Sequence, residues 1–417
     1  MAEPATPPPS QPSRTPLAAF STSADFRFSQ SNASPRAAQQ GRAGERHVTS
    51  SRAFLNNALR RDARFRILGN VTLPCLARGV WPTHAFAGQR VLFLLPSPAL
   101  GSNVSTALFL DAFAARHRPK ALGVFCAESA TDIYFRAGLK DVFALFVAER
   151  ELRRWDVIVD LGMLESRRDV ELWPVDMEAE LNAAFALAPG PRYAAAPRAL
   201  PQRRLRIGLL PLASSPLRTL PLAATQALLE PLLGFGELTL CLNRFQQQGV
   251  LYARELAPRL PKAVKLIDAF ASIGALLDAV AGFDYLVLAD SGPAHMTKLH
   301  ATPGVAVYSS APAEVLQGRF RNLAAFHVRF AGPHCRAPCG LAKLRETADG
   351  RIGCMGSLSL PLAELPKTPK RQDPALVEHL LLAAPVPCVA ALAADPAPLV
   401  AFVLADLAGR GAIPRAS

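Results

Sequence analysis

The sequence predicts an α/β protein in which two doubly wound halves face a central cleft, behind an N-terminal tail that has no core of its own. Three observations carry this prediction. From Arg90 onward, short apolar runs alternate with helix-length segments. The alternation breaks at a proline-rich stretch, APGPRYAAAPRALPQRR, and then restarts. Residues 1–47 are rich in Pro, Ser, Ala and Gln and lack apolar periodicity, so they are expected to be disordered.

The elements follow in order. SRAFLNNALRRDARF, residues 51–65, sets Phe54, Leu55, Ala58 and Leu59 apart from Arg60, Arg61 and Arg64, as a basic amphipathic helix would. Such a helix could lie on an anionic membrane face or pack on its own domain, and the residues leave both open. RVLFLLP reads as a strand, and NVSTALFLDAFAARH as a helix that Ser102 can cap. KALGVFCA, DVFALF and DVIVDLG are strands, separated by the helices SATDIYFRAGL and AERELRRW. Beyond the proline-rich joint, RLRIGLLPL, ELTLCLN, KAVKLID, DYLVLAD and GVAVYSS are strands. The helices between them are PLAATQALLEPLLG, QQGVLYARELAPRL, SIGALLDAVAGF with Ser272 as its cap, and PAHMTKLHA. Alternation of this kind implies right-handed βαβ units and parallel sheets, whose ligands bind beyond the carboxyl ends of the strands. The expected divisions are 1–47 (tail), 48–89 (basic helix and connector), 90–190 and 203–370 (the two α/β halves), and 371–417 (a helical extension).

Composition narrows the partners. Lys+Arg of 46 against Asp+Glu of 33 gives a formal charge of +13, which favours an anionic partner: a nucleic acid, a nucleotide or an acidic membrane face. Aromatic residues make up only 7% and do not interleave with the basic ones, which argues against nucleic acid. Neither a Gly-x-x-x-x-Gly-Lys-Ser/Thr loop nor a Gly-x-Gly-x-x-Gly after the first strand is present, which argues against a P-loop and against a nicotinamide enzyme. Seven scattered cysteines, an N-terminus without an apolar leader and the lack of an uninterrupted apolar stretch of membrane length lead us to expect a soluble cytoplasmic protein.

The stretch VLADSGPAHMTKLH carries the clearest chemistry. A buried strand runs into Asp290-Ser291-Gly292, where Gly292 permits a sharp turn and Pro293 suits the start of a helix. The N–H groups and positive dipole end of that helix would bind phosphate, with His295 one turn away. The plain alternative is a strand–helix turn with a surface histidine. LPLASSPLRTLP adds Ser214 and Arg218 at another strand end, and a cation there can neutralise a diphosphate leaving group. His334, Cys335, Cys339 and Cys354 are four residues of zinc-ligand type at loose spacing, and we read them as packing residues. Cys75, Cys126, Cys241 and Cys388 read as small hydrophobes, and His300 and His327 as surface or core residues.

From about Arg90 to Leu365 these motifs resemble glycosyltransferase family 9, the heptosyltransferases of lipopolysaccharide synthesis. DSGPAH is similar to the family's Asp-Thr/Ser-Gly-x-x-His motif. LPLASSPLRTLP is similar to its Lys-x-Trp-Pro segment, with Arg218 for lysine and Leu220 for tryptophan. WDVIVDL is similar to a structural strand, and the cysteine cluster to the ending of some members. The resemblance implies a GT-B fold of two Rossmann-like domains and an inverting transfer without cofactor or metal. It further implies a nucleotide-sugar donor, ADP-heptose first, and a lipid-linked or lipopolysaccharide-core acceptor at the cytoplasmic face of the inner membrane. Asp290, Ser291, Gly292, His295, Arg218 and Ser214 would meet the donor.

LLPSPALGSNV departs from the pattern: Ser102 stands where the family has the aspartate that acts as general base. A serine hydroxyl is no base at neutral pH, and Asn103 can only orient. Glu128 and Asp132, after the second strand, are the replacement candidates, with Ser102 positioning the acceptor. The departure keeps a second reading alongside the transferase: a non-catalytic nucleotide-sugar- or glycan-binding relative acting as a scaffold in envelope assembly.

Overall fold

The computed structural model describes residues 18–19, 46–48, 65–67, 86–95, 97–144, 149–161, 176–190, 196–341, 343–366 and 373–414. Of the tail and connector, it describes three short strands, Ala18–Ala19, Arg46–Val48 and Phe65–Ile67, paired in parallel. The rest of the tail, Cys75 and all but the last residue of the helix expected over 51–65 lie outside the described residues, and that last residue, Phe65, begins a strand instead.

The N-terminal half is a four-stranded parallel sheet. Its elements are β1 (Arg90–Leu95), α1 (Leu100–His117), β2 (Ala121–Cys126), α2 (Thr131–Arg136), β3 (Asp141–Phe143), α3 (Glu149–Leu152) and β4 (Val157–Asp160), followed by α4 (Met177–Ala184). The strand order is β3-β2-β1-β4. β1 and β4 are also joined at their starts, where the Arg90 guanidinium forks onto both oxygens of Asp156 at 3.0 and 3.1 Å.

The C-terminal half holds β5 (Leu205–Leu210), α5 (Leu222–Leu233), β6 (Gly236–Cys241), α6 (Gln247–Leu256), β7 (Lys265–Ile267), α7 (Ile273–Gly282), β8 (Tyr285–Ala289), α8 (Gly292–His300), β9 (Gly304–Tyr308), α9 (Ala313–Leu316) and β10 (Leu323–His327). Its six strands, all parallel, run β7-β6-β5-β8-β9-β10. That is the doubly wound order with a reversal between the first and fourth strands, where such sheets bind ligands. The N-terminal sheet reverses at the equivalent place, between β1 and β4.

Strand periodicity divides each strand of the C-terminal sheet between two cores. Leu286 and Leu288 of β8 pack with β1, α1 and α2 of the other half, in one cluster continuous across both halves. Tyr285, Val287 and Ala289 face away, into a second cluster with Leu228, Leu232, Leu399 and Val403. The last two belong to a C-terminal helix, Ala397–Gly409, so the segment expected as an extension covers the outer face of the C-terminal half. Tyr285 donates to Asp406 at 2.8 Å and Arg410 reaches the same carboxylate at 2.7 Å, pinning that helix to the sheet. Among the described residues no single helix is long and apolar enough to cross a membrane; one helix pair, Pro374–Ala383 and Pro387–Ala394, bent by 42°, would pass by length and composition.

One local expectation is corrected. α1 starts at Leu100 with Ala99 as its N-cap, so Ser102 is a first-turn residue and not the N-cap. Ser272 does cap α7, accepting the Ala275 N–H at 3.0 Å.

Candidate active site

Both reversal points open onto one cavity of about 670 Å³ between the halves. Its C-terminal wall is built by two strand-end turns. After β8 the chain bends at Ser291, the extended N-cap of α8, whose hydroxyl turns back to donate to the Ala289 carbonyl at 3.2 Å. Gly292 is the first helical residue and Pro293 lies within the first turn, so the end of α8 that faces the cavity has no side-chain cap. An uncapped helix start carries partial positive charge and attracts anions.

Asp290 is 1% exposed and does not line the cavity. It lies behind Arg218, whose guanidinium stands 3.6 Å from the carboxylate, donates to the Asp290 carbonyl at 3.2 Å and donates to Ser214 Oγ at 2.9 Å. Two hydrogen bonds and the nearby carboxylate therefore hold the guanidinium of Arg218, which lines the cavity. Asp290 serves to aim that cation and hold the turn. Leu220, at the position of the family tryptophan, is buried.

His295 lines the cavity and packs against the opposite half. A Cβ on Gly101 would stand 2.8 Å from its ring, and a Cβ on Gly292 would stand 2.9 Å from Leu100. Glycine at these two places lets the starts of α1 and α8 approach each other. Ser102 is on this junction, 3% exposed and lining the cavity. Asn103 is not: it is fully buried, donating to the carbonyls of Ser97 and Ala99 at 2.8 and 2.9 Å and accepting from Tyr134 at 2.8 Å. Its role is to tie the β1–α1 turn to α2, so the expectation that it orients a substrate is corrected.

Of the candidate bases, Glu128 is exposed at the cavity edge. Asp132 lines the cavity, but its Oδ2 accepts the backbone N–H of Gly274 at 2.7 Å, capping α7 from across the cleft. Arg136 reinforces that contact by pairing with Asp278 at 2.7 Å. A third carboxylate, Asp176, also lines the cavity, as the N-cap of α4. The half expected over 90–190 contains it, but the sequence reading placed no element between β4 and the proline-rich joint and so missed it. The signal was present: an aspartate followed by MEAEL, an acidic first turn before an apolar run.

Behind the wall, Lys298 of α8 is 5% exposed and donates to the Leu316 carbonyl at 2.6 Å. Burial pulls its ammonium below the usual lysine range, against the opposing fields of Glu178, Asp176 and Asp290. The other side of the cavity is lined by Asn243, Phe245, Phe270 and Leu276, with Phe245 74% exposed.

The cysteines gather elsewhere. Cys335, Cys339, Cys354 and Cys388 line a small cavity of about 20 Å³, while His334 is exposed and not among the lining residues. Cys388 therefore joins the group that His334 was expected to complete. Burial pushes the thiols of Cys339 and Cys388 up to about 11 and about 12, so both are protonated at neutral pH. Among the described residues no group of three or more His, Cys, Asp or Glu is placed to hold a metal ion. His327 is partly buried and accepts the Ala313 N–H at 3.2 Å, at the start of α9.

No protein-family profile and no curated protein matches the chain. Solved structures do. The E. coli ADP-heptose lps heptosyltransferase II is 16% identical with a TM-score of 0.44, the match covering 58% of this chain and 91% of that one. E. coli heptosyltransferase WaaC with ADP-2-deoxy-2-fluoro heptose is 15% identical with a TM-score of 0.42, covering 61% and 95%. A glycosyl transferase family 9 protein from Veillonella parvula DSM 2008 is 12% identical with a TM-score of 0.48, covering 60% and 90%. The likeness to these proteins is one of fold.

Proposed function

We propose that the chain is a glycosyltransferase that moves a sugar from a nucleotide-diphosphate donor on the C-terminal half to a hydroxyl acceptor on the N-terminal half. The observation that carries this is the pairing of Arg218, held by Asp290 and Ser214, with the uncapped start of α8 at one reversal point of a doubly wound sheet. Together they place a fixed cation and a helix dipole where a diphosphate would leave, which is the charge stabilisation such a transfer needs. The acceptor oxygen attacks the anomeric carbon as the bond to the diphosphate breaks. The electron pair departs with the nucleotide diphosphate, and the configuration inverts. Arg218 and α8 neutralise the leaving group in this scheme, with no step assigned to a metal. The sequence motifs make ADP-heptose the first donor to test and a lipopolysaccharide core or other envelope glycan the first acceptor. The test is a thermal-shift screen with ADP-heptose and with ADP-, UDP-, GDP- and dTDP-linked hexoses. A ligand that binds the folded state alone raises the melting temperature. At least one nucleotide sugar is expected to do so, and a flat response to all of them would contradict the reading. Binding without nucleotide release would favour the non-catalytic relative that Ser102 suggests.

A further inference from the structure

Transfer of this kind needs a base near the acceptor hydroxyl, and the first turn of α1 offers only Ser102. We propose that Asp176 is that base, an inference that rests on the transferase reading. Topology places it. The N-terminal sheet reverses between β1 and β4, the place at which such sheets bind ligands. α1 follows β1 and brings Ser102. α4 is the next described helix after β4, it packs against α1, and it brings Asp176. Both residues line the same cavity as His295 and the start of α8.

The competing carboxylates are placed differently. Asp132 also gives one oxygen to a helix start, but to the Gly274 N–H of the opposite half, where it joins the two halves, and Glu128 is exposed at the edge. Asp176 uses only one oxygen for its helix: Oδ1 accepts the Ala179 N–H at 3.1 Å. Oδ2 makes no hydrogen bond among the described residues and is the atom that takes the proton. In the step, the acceptor O–H proton passes to Asp176 Oδ2 while the acceptor oxygen bonds to the anomeric carbon. The carbon–oxygen bond to the diphosphate breaks, and the nucleotide diphosphate leaves with the electron pair. The carboxylate is thus supplied at the start of α4, where the first turn of α1 lacks one.

The experiment compares the wild type with Asp176→Asn. Asparagine caps helices as well as aspartate does, so the melting temperature should hold while the basicity is gone. Release of nucleotide is followed from ADP-heptose and the hexose panel, with water and with a lipopolysaccharide-core acceptor. The expected result is a kcat lowered by roughly 10²–10⁴-fold, with donor affinity by calorimetry within about twofold of wild type. Unchanged kcat in Asp176→Asn overturns the assignment. So does a matching loss of donor affinity, which would make the residue a binding group, and so does a loss confined to Glu128→Gln. Wild-type protein that binds a donor but releases no nucleotide under any of these conditions removes the transferase reading, and the assignment with it.

Discussion

Asp132 joins two helices across the cleft. Its Oδ2 takes the second N–H of α7 from Gly274, while Ser272 takes the third from Ala275. Two of the four donors that a helix start leaves open are therefore satisfied, one of them by the opposite half. Asp132→Ala should lower stability by about 1 kcal/mol, the usual cost of a lost cap, and Asp132→Asn should keep most of it because an amide oxygen also accepts. Urea denaturation of both variants checks this, and equal losses would contradict the capping role. At this scale, legibility depends on range. Ser272 and the Ser291–His295 turn could be read because a few neighbouring residues dictate their geometry, whereas Arg218 was legible as a motif residue but owes its placement to the distant Asp290. The cap on Gly274 from Asp132 could not, since the two positions meet only after the halves dock. Asp176 is similar: its helix start is local, but that it lines one cavity with Ser102 depends on the tertiary arrangement.

At the scale of elements, the meeting of α1 and α8 decides the shape of the cavity. Their starts approach closely because Gly101 and Gly292 lack side chains. Gly101→Ala would raise helix propensity in isolation, by about 1 kcal/mol. In place, its Cβ would fall 2.8 Å from the His295 ring, so either the ring moves or the helices part. The expected outcome is weaker donor binding with no gain in melting temperature; a more stable variant with unchanged binding would contradict the packing. The strands and most helices of both halves could be read from sequence, because buried parallel strands are short apolar runs bounded by turn residues. The start of α1 could not. Ser102 looked like a cap, but the helix begins a turn earlier at Leu100, where the sequence LGSN carries no capping residue in front of it.

For the whole molecule, one continuous core joins the halves and a second lies under the C-terminal helix. Burial in and around these cores pushes the thiols of Cys126, Cys241 and Cys388 from 9.0 up to about 12, and that of Cys339 to about 11. The sign follows from linkage. Above pH 9 the unfolded chain sheds thiol protons that the folded chain retains, so the unfolded state binds fewer protons and stability falls as pH rises. Each such thiol contributes up to about 1.4 kcal/mol per pH unit across its window. Denaturation under reducing conditions should show this decline between pH 9 and 11, and a flat profile would contradict the burial of these groups. The gathering of Cys388 with Cys335, Cys339 and Cys354 was not legible, because it depends on the last helices folding back onto the C-terminal half. The central claim is that the cleft binds a nucleotide diphosphate through Arg218 and the start of α8. Calorimetry with the best nucleotide sugar, on wild type, Arg218→Ala and His295→Ala, tests it most directly. Each variant should lose about 1.5–3 kcal/mol of binding, the range for a hydrogen bond to a charged group, with the fold retained by circular dichroism. Wild-type affinity in both variants would contradict the claim.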